Sequence, residues 1–279
     1  MRICAMTHRP ADHSRYISVL SVLLGLLAAS VGVSQATVPT TAAHEPVPGI
    51  SPEASLVRLK EGNRRFRTGG SMHPNIDAAR LRETAEKGQT PFATILGCSD
   101  SRVPCEVIFD QGVGDLFIVR VAGNVCAVNE TASIEYGIGH LGTPLLVVLG
   151  HEKCGAVTAV ATDAELEGSI PRLVEPIRPA VEEAQRLHPG MKPDALVPFA
   201  LRTNVMRSIE DLFRRSGMAR NLVREGKVTV LGAVYDLETG EVTWLGPHIR
   251  QAALVKEAGN EDPSGQSTPA ASVHGAATH

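Results

Sequence analysis

The sequence predicts an α/β fold: a mostly parallel central β-sheet flanked by helices, with an N-terminal helical arm and a C-terminal edge hairpin. Three observations lead there. Three apolar runs of strand length, 92–96, 116–121 and 145–149, are mostly continuous rather than alternating, as strands buried on both faces are. Helical patterns separate and follow them, and strand alternating with helix marks a largely parallel sheet. Two alternating segments, 228–235 and 242–245, flank the turn Leu237-Glu238-Thr239-Gly240 and read as an antiparallel hairpin at the sheet edge.

Each element has its own signal. Arg2, Arg9 and Arg15 precede an apolar stretch over 17–33, closed by Ser34-Gln35-Ala36. That three-part pattern is a secretory signal over 1–36 with cleavage after Ala36, the alternative being an uncleaved anchor. It places the mature protein in the periplasm or outside the cell. Residues 37–50, rich in Thr, Pro and Ala, read as a linker to a domain over 51–255. Ser51 caps a helix with Pro52 at its first position, and Leu56, Leu59 and Phe66 give it a stripe through Thr68. Residues 69–76 break it, and a second helix runs from about Asp77 to Lys87 before Gly88. Residues 129–141 and 155–162 are helical, and 170–226 are helical with interruptions at Pro176, Pro179, Pro189-Gly190, Pro193 and Pro198. From about Lys256 to His279 the composition is that of a disordered tail.

Composition narrows the function. The chain has 279 residues, 43% hydrophobic and 4% aromatic, so one core of Val, Leu, Ile and Ala is expected. The formal net charge of −3 comes without a long basic run, which argues against nucleic-acid binding. Arg64, Arg65 and Arg67 read as one solvated helix face. Nothing after the leader is long and apolar enough to cross a membrane. Cys4 leaves with the leader, and Cys98, Cys105, Cys126 and Cys154 remain. Four cysteines in an exported chain invite a two-disulfide reading. The surroundings of Cys98 and Cys154 argue against it.

Those surroundings are Gly97-Cys98-Ser99-Asp100-Ser101-Arg102 and Gly150-His151-Glu152-Lys153-Cys154-Gly155. Each begins at the carboxyl end of an apolar strand, the edge of a parallel sheet where ligand sites assemble. One sheet would bring Cys98, His151 and Cys154 together. Two thiolates and an imidazole form a borderline-soft set suited to zinc, and three ligands with one open position mark a catalytic rather than a structural site. Other thiol and zinc chemistries fit less well. A phosphatase loop is longer than the step from Cys98 to Arg102, a zinc deaminase needs H-x-E with P-C-x-x-C, and no redox C-x-x-C occurs.

The run GQTPFATILGCSDSRVPCEVIFDQGVGDLFIVRVAGN, with EYGIGHLGTPLLVVLGHEKCGAV at 135–157, resembles the β-carbonic anhydrase family over roughly 51–247. The resemblance implies that family's sheet, helical arm and dimer-based assembly, a homodimer or homotetramer. It implies one Zn²⁺ on Cys98, His151 and Cys154, an Asp100–Arg102 dyad, and an active-site glutamine at Gln89. The implied reaction is reversible hydration of CO₂ to bicarbonate and a proton by zinc-bound hydroxide. Asp100 would accept the hydroxide's hydrogen bond, Arg102 would hold Asp100 ionised, and Gln89 would donate to a substrate oxygen. Two thiolates neutralise the metal's charge, so activity should rise through the mildly alkaline range. Some relatives carry a Trp–Arg–Tyr bicarbonate site. Arg120 and Tyr235 match two of its positions and Ile95 stands at the third, which puts that site in doubt. Hydrolysis of CS₂ or COS on the same centre, or a non-catalytic zinc or bicarbonate-binding role, are the rival functions. Asp100–Arg102 as a plain ion pair is the structural alternative. For Cys105 and Cys126 the choice is between free buried thiols, which we favour, and a disulfide.

Overall fold

The computed structural model describes residues 49–256. The leader, nearly all of the linker and the tail lie outside the described residues. Helix α1 (Pro52–Arg67) starts where Ser51 Oγ accepts from Ala54 N, and α2 (Ala78–Lys87) starts on Asp77 and ends on left-handed Gly88. Strand β1 (Ala93–Gly97), the single turn α3 (Cys105–Ile108) and β2 (Leu116–Arg120) follow. A 3₁₀ turn over Ala122–Asn124 leads to α4 (Val128–Glu135), which widens into a π-helical turn over Tyr136–His140 before β3 (Leu145–His151). Next come α5 (Gly155–Ala161), α6 (Ile170–Val174), α7 (Arg178–Leu187), α8 (Pro193–Arg215) and α9 (Gly217–Arg224). Strands β4 (Thr229–Tyr235) and β5 (Val242–Gly246) and the short α10 (Gln251–Leu254) close the described chain.

The five strands lie in the order β2-β1-β3-β4-β5, parallel except for the β4–β5 hairpin at the edge. Every residue of β1 and β3 is buried, which explains why both read as unbroken apolar runs. Successive side chains feed two cores. Leu96, Leu146, Val148, Val230 and Val234 pack with the α4, α5, α7 and α8 side, where Leu201, Val205, Ile209 and Phe213 of α8 supply much of the apolar surface. Ile95, Val147, Leu149, Ala233 and Tyr235 pack on the other face with Leu59 of α1 and Ile108 of α3. Asn63 of α1 stitches that layer to the rest. Its Nδ2 donates to the Ile108 and Gly240 carbonyls, and its Oδ1 accepts from Val242 N.

Two sequence expectations need correction. Pro198 does not interrupt the helical region but lies inside α8. It is near the N-terminus of that helix, where a missing N–H forfeits a single backbone bond that the buried face of α8 outweighs. Arg65 is not part of a solvated face either. Its Nε donates to the fully buried carboxylate of Asp110 at 2.5 Å, while Arg64 and Arg67 pair at the surface with Glu61 and Glu241. No helix of the described residues is long and apolar enough to cross a membrane.

Candidate metal centre

Strand order reverses between β1 and β3. The chain leaves β1 toward β2 on one side and leaves β3 toward β4 on the other, which opens a crevice at the carboxyl ends of the two strands. Their register pairs Gly97 with Leu149, so Cys98 and His151 emerge side by side into that crevice. Cys154 arrives through a sharp turn in which Lys153 takes a left-handed conformation (φ 53°), and it caps the start of α5. The Cys98 and Cys154 sulfurs and a His151 ring nitrogen lie within 4.8 Å of one another, and all three residues are buried.

The donor set fits a zinc ion. His151 Nδ1 sits 2.9 Å from the Glu152 carbonyl oxygen, which can only accept, so the ring proton is on Nδ1. That leaves the Nε2 lone pair free, and Nε2 is buried with no hydrogen-bond partner. Cys98 Sγ accepts from the backbone N–H groups of Gly123 at 3.3 Å and Asp100 at 3.4 Å. Hydrogen bonding from Cys154, helped by those two N–H groups, pulls the Cys98 thiol well below its ordinary value against the opposing effect of burial. Cys154 is pushed up by its bond to Cys98 and by burial, so Cys98 carries the charge when the two share a proton.

Asp100 stands over this group, with Oδ2 3.9 Å from His151 Nε2. Arg102 grips it with both arms of the guanidinium, Nε to Oδ1 at 2.9 Å and an Nη to Oδ2 at 2.7 Å, and adds its own backbone N–H at 2.9 Å. Those bonds, the Arg102 side chain first, hold the Asp100 carboxyl well below the usual range. Arg120 stiffens the loop beneath, donating to the carbonyls of Cys98 and Asp100. Ile95 is fully buried on β1 in the α1-side core, so no aromatic side chain stands at that position beside Arg120 and Tyr235.

Gln89 is placed elsewhere. It is exposed in the segment before β1, at the end of the strand opposite Cys98. Five residues of strand at ~3.3 Å each separate the two by roughly 16 Å or more, so one chain does not bring Gln89 to its own metal centre. Cys105 and Cys126 are free and buried, and burial pushes each thiol up to about 12. The sequence reading missed Gly123. Its signal was the Ala-Gly-Asn after β2, since Gly and Asn are the residues that tolerate left-handed turns.

The carbonic anhydrase family profile matches residues 93–242. The chain is 38% identical over 209 residues to carbonic anhydrase 2 of Mycobacterium tuberculosis, a match covering 73% of this chain and 97% of that one. It is 35% identical over 201 residues to a carbonic anhydrase of Mycolicibacterium smegmatis, covering 70% and 94%. Among solved structures it is similar to a β-carbonic anhydrase of Aspergillus fumigatus, with 27% identity, a TM-score of 0.58 and coverage of 73% and 96%. It is also similar to a tetrameric β-carbonic anhydrase of Sordaria macrospora, with 25% identity, a TM-score of 0.54 and coverage of 68% and 97%. With its mostly parallel sheet and its buried Cys–His–Cys group, the chain belongs to the β-carbonic anhydrase family and is a zinc-dependent carbonic anhydrase, a lyase acting on CO₂ and bicarbonate.

Proposed function

We propose that this chain hydrates CO₂ with Cys98, His151 and Cys154 as the zinc ligands and Asp100, oriented by Arg102, as the group that aims the attacking water. Zinc at this centre supplies a Lewis acid that lowers the pKa of a water at its open position. Asp100 is ionised and acceptor-only, so it accepts a hydrogen bond from the attacking oxygen and leaves a lone pair directed at the carbon of CO₂. Arg102 grips both oxygens of that carboxylate and holds Oδ2 3.9 Å from His151 Nε2. The buried walls around Cys98 and Cys154 limit competing water, and the proton released in making bicarbonate passes to solvent. The observation that carries this reading is the two-armed Arg102 clamp on Asp100, set beside the unpartnered Nε2 of His151. Asp100→Asn is the test. Zinc content should stay at wild type while stopped-flow CO₂ hydration falls by at least tenfold. Undiminished hydration would remove Asp100 from the reaction.

In the same proposal the chain works as a homodimer or homotetramer in which Gln89 serves the centre of a second copy. The placement of Gln89 at the far end of β1 supports this. A hybrid dimer of Gln89→Ala and Asp100→Asn subunits would then rebuild one intact centre and regain activity. A dead hybrid would mean that Gln89 acts within its own chain, and a fully active Gln89→Ala homo-oligomer would mean that it has no part in the reaction. Export through the leader at 1–36 completes the proposal, and N-terminal sequencing of the secreted protein should begin at Thr37.

A further inference from the structure

Cys98 owes its surroundings to a turn that comes from the neighbouring strand. After β2 the chain passes through Gly123 (φ 73°) and Asn124 (φ 45°), two successive left-handed residues. This conformation turns the Gly123 N–H toward Cys98 Sγ. The positive φ favours glycine there, and a Cβ on Gly123 would lie 2.5 Å from Ile177 Cδ1 and push that side chain aside. Glycine adopts this conformation freely, but Asn124 does so at some cost, and the turn is held from outside. The support comes from α8. Asn204 Nδ2 donates to the Gly123 carbonyl at 2.8 Å, and Ser208 Oγ, one helical turn on, donates to the Asn124 carbonyl at 2.9 Å. Both side chains are 2% exposed, and the bonds fix the two peptides that directly follow the Gly123 donor.

We propose that Asn204 and Ser208 are positioning residues of the metal centre, which hold the Gly123 N–H on Cys98 Sγ and so set how strongly that thiolate donates to the metal. This rests on Cys98 being a zinc ligand. An N–H aimed at a ligand sulfur stabilises its lone pairs and makes it a weaker donor, and a loosened donor does the reverse. Buried polar residues that merely satisfied loop carbonyls would affect folding stability and leave the sulfur's electronics alone.

Cobalt-substituted full-length protein separates the two. Its thiolate-to-cobalt charge-transfer absorption reports the energy of the sulfur lone pairs. Asn204→Leu should move that band to longer wavelength, as a sulfur released from its N–H becomes the stronger donor. Ser208→Ala, the milder change, should shift the band in the same direction by less, and it decides the matter alone if Asn204→Leu does not fold. Ile209→Val, on the same helix but facing the sheet, should lower the melting temperature without moving the band. Unshifted bands in both Asn204→Leu and Ser208→Ala would overturn the positioning role. A wild-type protein without the band would instead overturn Cys98 and Cys154 as ligands.

Discussion

Arg102→Met removes the side-chain clamp on Asp100 while keeping the length of the side chain. Two charge-assisted bonds at 2.9 and 2.7 Å disappear, and the Arg102 backbone N–H remains. A hydrogen bond to a charged group contributes ~1.5–3 kcal/mol when shielded. The Arg102 side chain is 54% exposed, so solvent screening weakens both bonds, and their value lies in orienting the carboxylate rather than in stability. If the clamp is what keeps Asp100 aimed, kcat/KM for CO₂ hydration should fall by about tenfold to a hundredfold, the scale of a misplaced catalytic group. Zinc stoichiometry should stay at one per chain. Stopped-flow hydration with metal analysis on the same samples is the assay. The sign of the accompanying pH effect follows from the direction of the Asp100 shift. Arg102 depresses that carboxyl, so its contribution to stability is present above the unfolded value of ~3.9 and lost as pH falls through the folded one. The melting-temperature gap between wild type and Arg102→Met should therefore be open at pH 6 and shrink below about pH 3. Unchanged kcat/KM with full zinc would refute the clamp as a catalytic device and leave the ion pair a structural one.

Three further outcomes are expected. Cys98→Ser and Cys154→Ser should each lose zinc and activity together, and a variant with normal metal content and full turnover would refute that residue as a ligand. Asn63→Ala strands two buried carbonyls and one buried N–H, each costing ~1–3 kcal/mol, so denaturant unfolding should show a loss of about 3 kcal/mol with activity per folded molecule retained. Thiol titration of the denatured, metal-chelated protein should find Cys98, Cys105, Cys126 and Cys154 all reactive. Two missing thiols would mean a bridge between Cys105 and Cys126.

The strands and the Cys–His–Cys group were legible because each left a local mark. β1 and β3 are buried on both faces, so their apolar runs are unbroken, and the ligand motifs sit at the ends of those runs. What was hidden depends on distant partners. Arg65 looks like its neighbours Arg64 and Arg67 until Asp110, 45 residues on, is brought beneath it. Asn204 and Ser208 look like ordinary polar helix residues, because nothing near them in sequence shows that they face the turn after β2. The widened turn at 136–140 is equally non-local. Gly137 lies so close to Thr94 that a Cβ would sit 2.4 Å from its Oγ1, and Gly139 crowds Met218 in the same way. Gln89 entered the sequence reading by resemblance, and its position at the end of β1 opposite Cys98 was not visible there.

The arrangement explains why two ligand groups more than fifty residues apart can meet with little conformational search. Cys98 and His151 are placed by adjacent, fully buried strands whose spacing is set by the parallel ladder and by side chains packed from both faces. The remaining freedom lies in the short loops that follow, and each is pinned by groups distant in sequence. Arg120, at the end of β2, holds the loop bearing Asp100 through two carbonyls. The turn bearing Cys154 is held by Glu152 N to the Tyr235 carbonyl on β4, by the Lys153–Glu238 pair, and by Arg102 reaching the Lys153 carbonyl at 3.4 Å. Arg102 therefore touches both halves of the centre. It clamps Asp100 on the first loop and leans on the backbone of the second, so a displaced Cys154 turn is felt at the Asp100 carboxylate. Geometry at the ligands and orientation at the carboxylate are one mechanical unit, held by a rigid pair of strands and adjusted through a single half-exposed guanidinium.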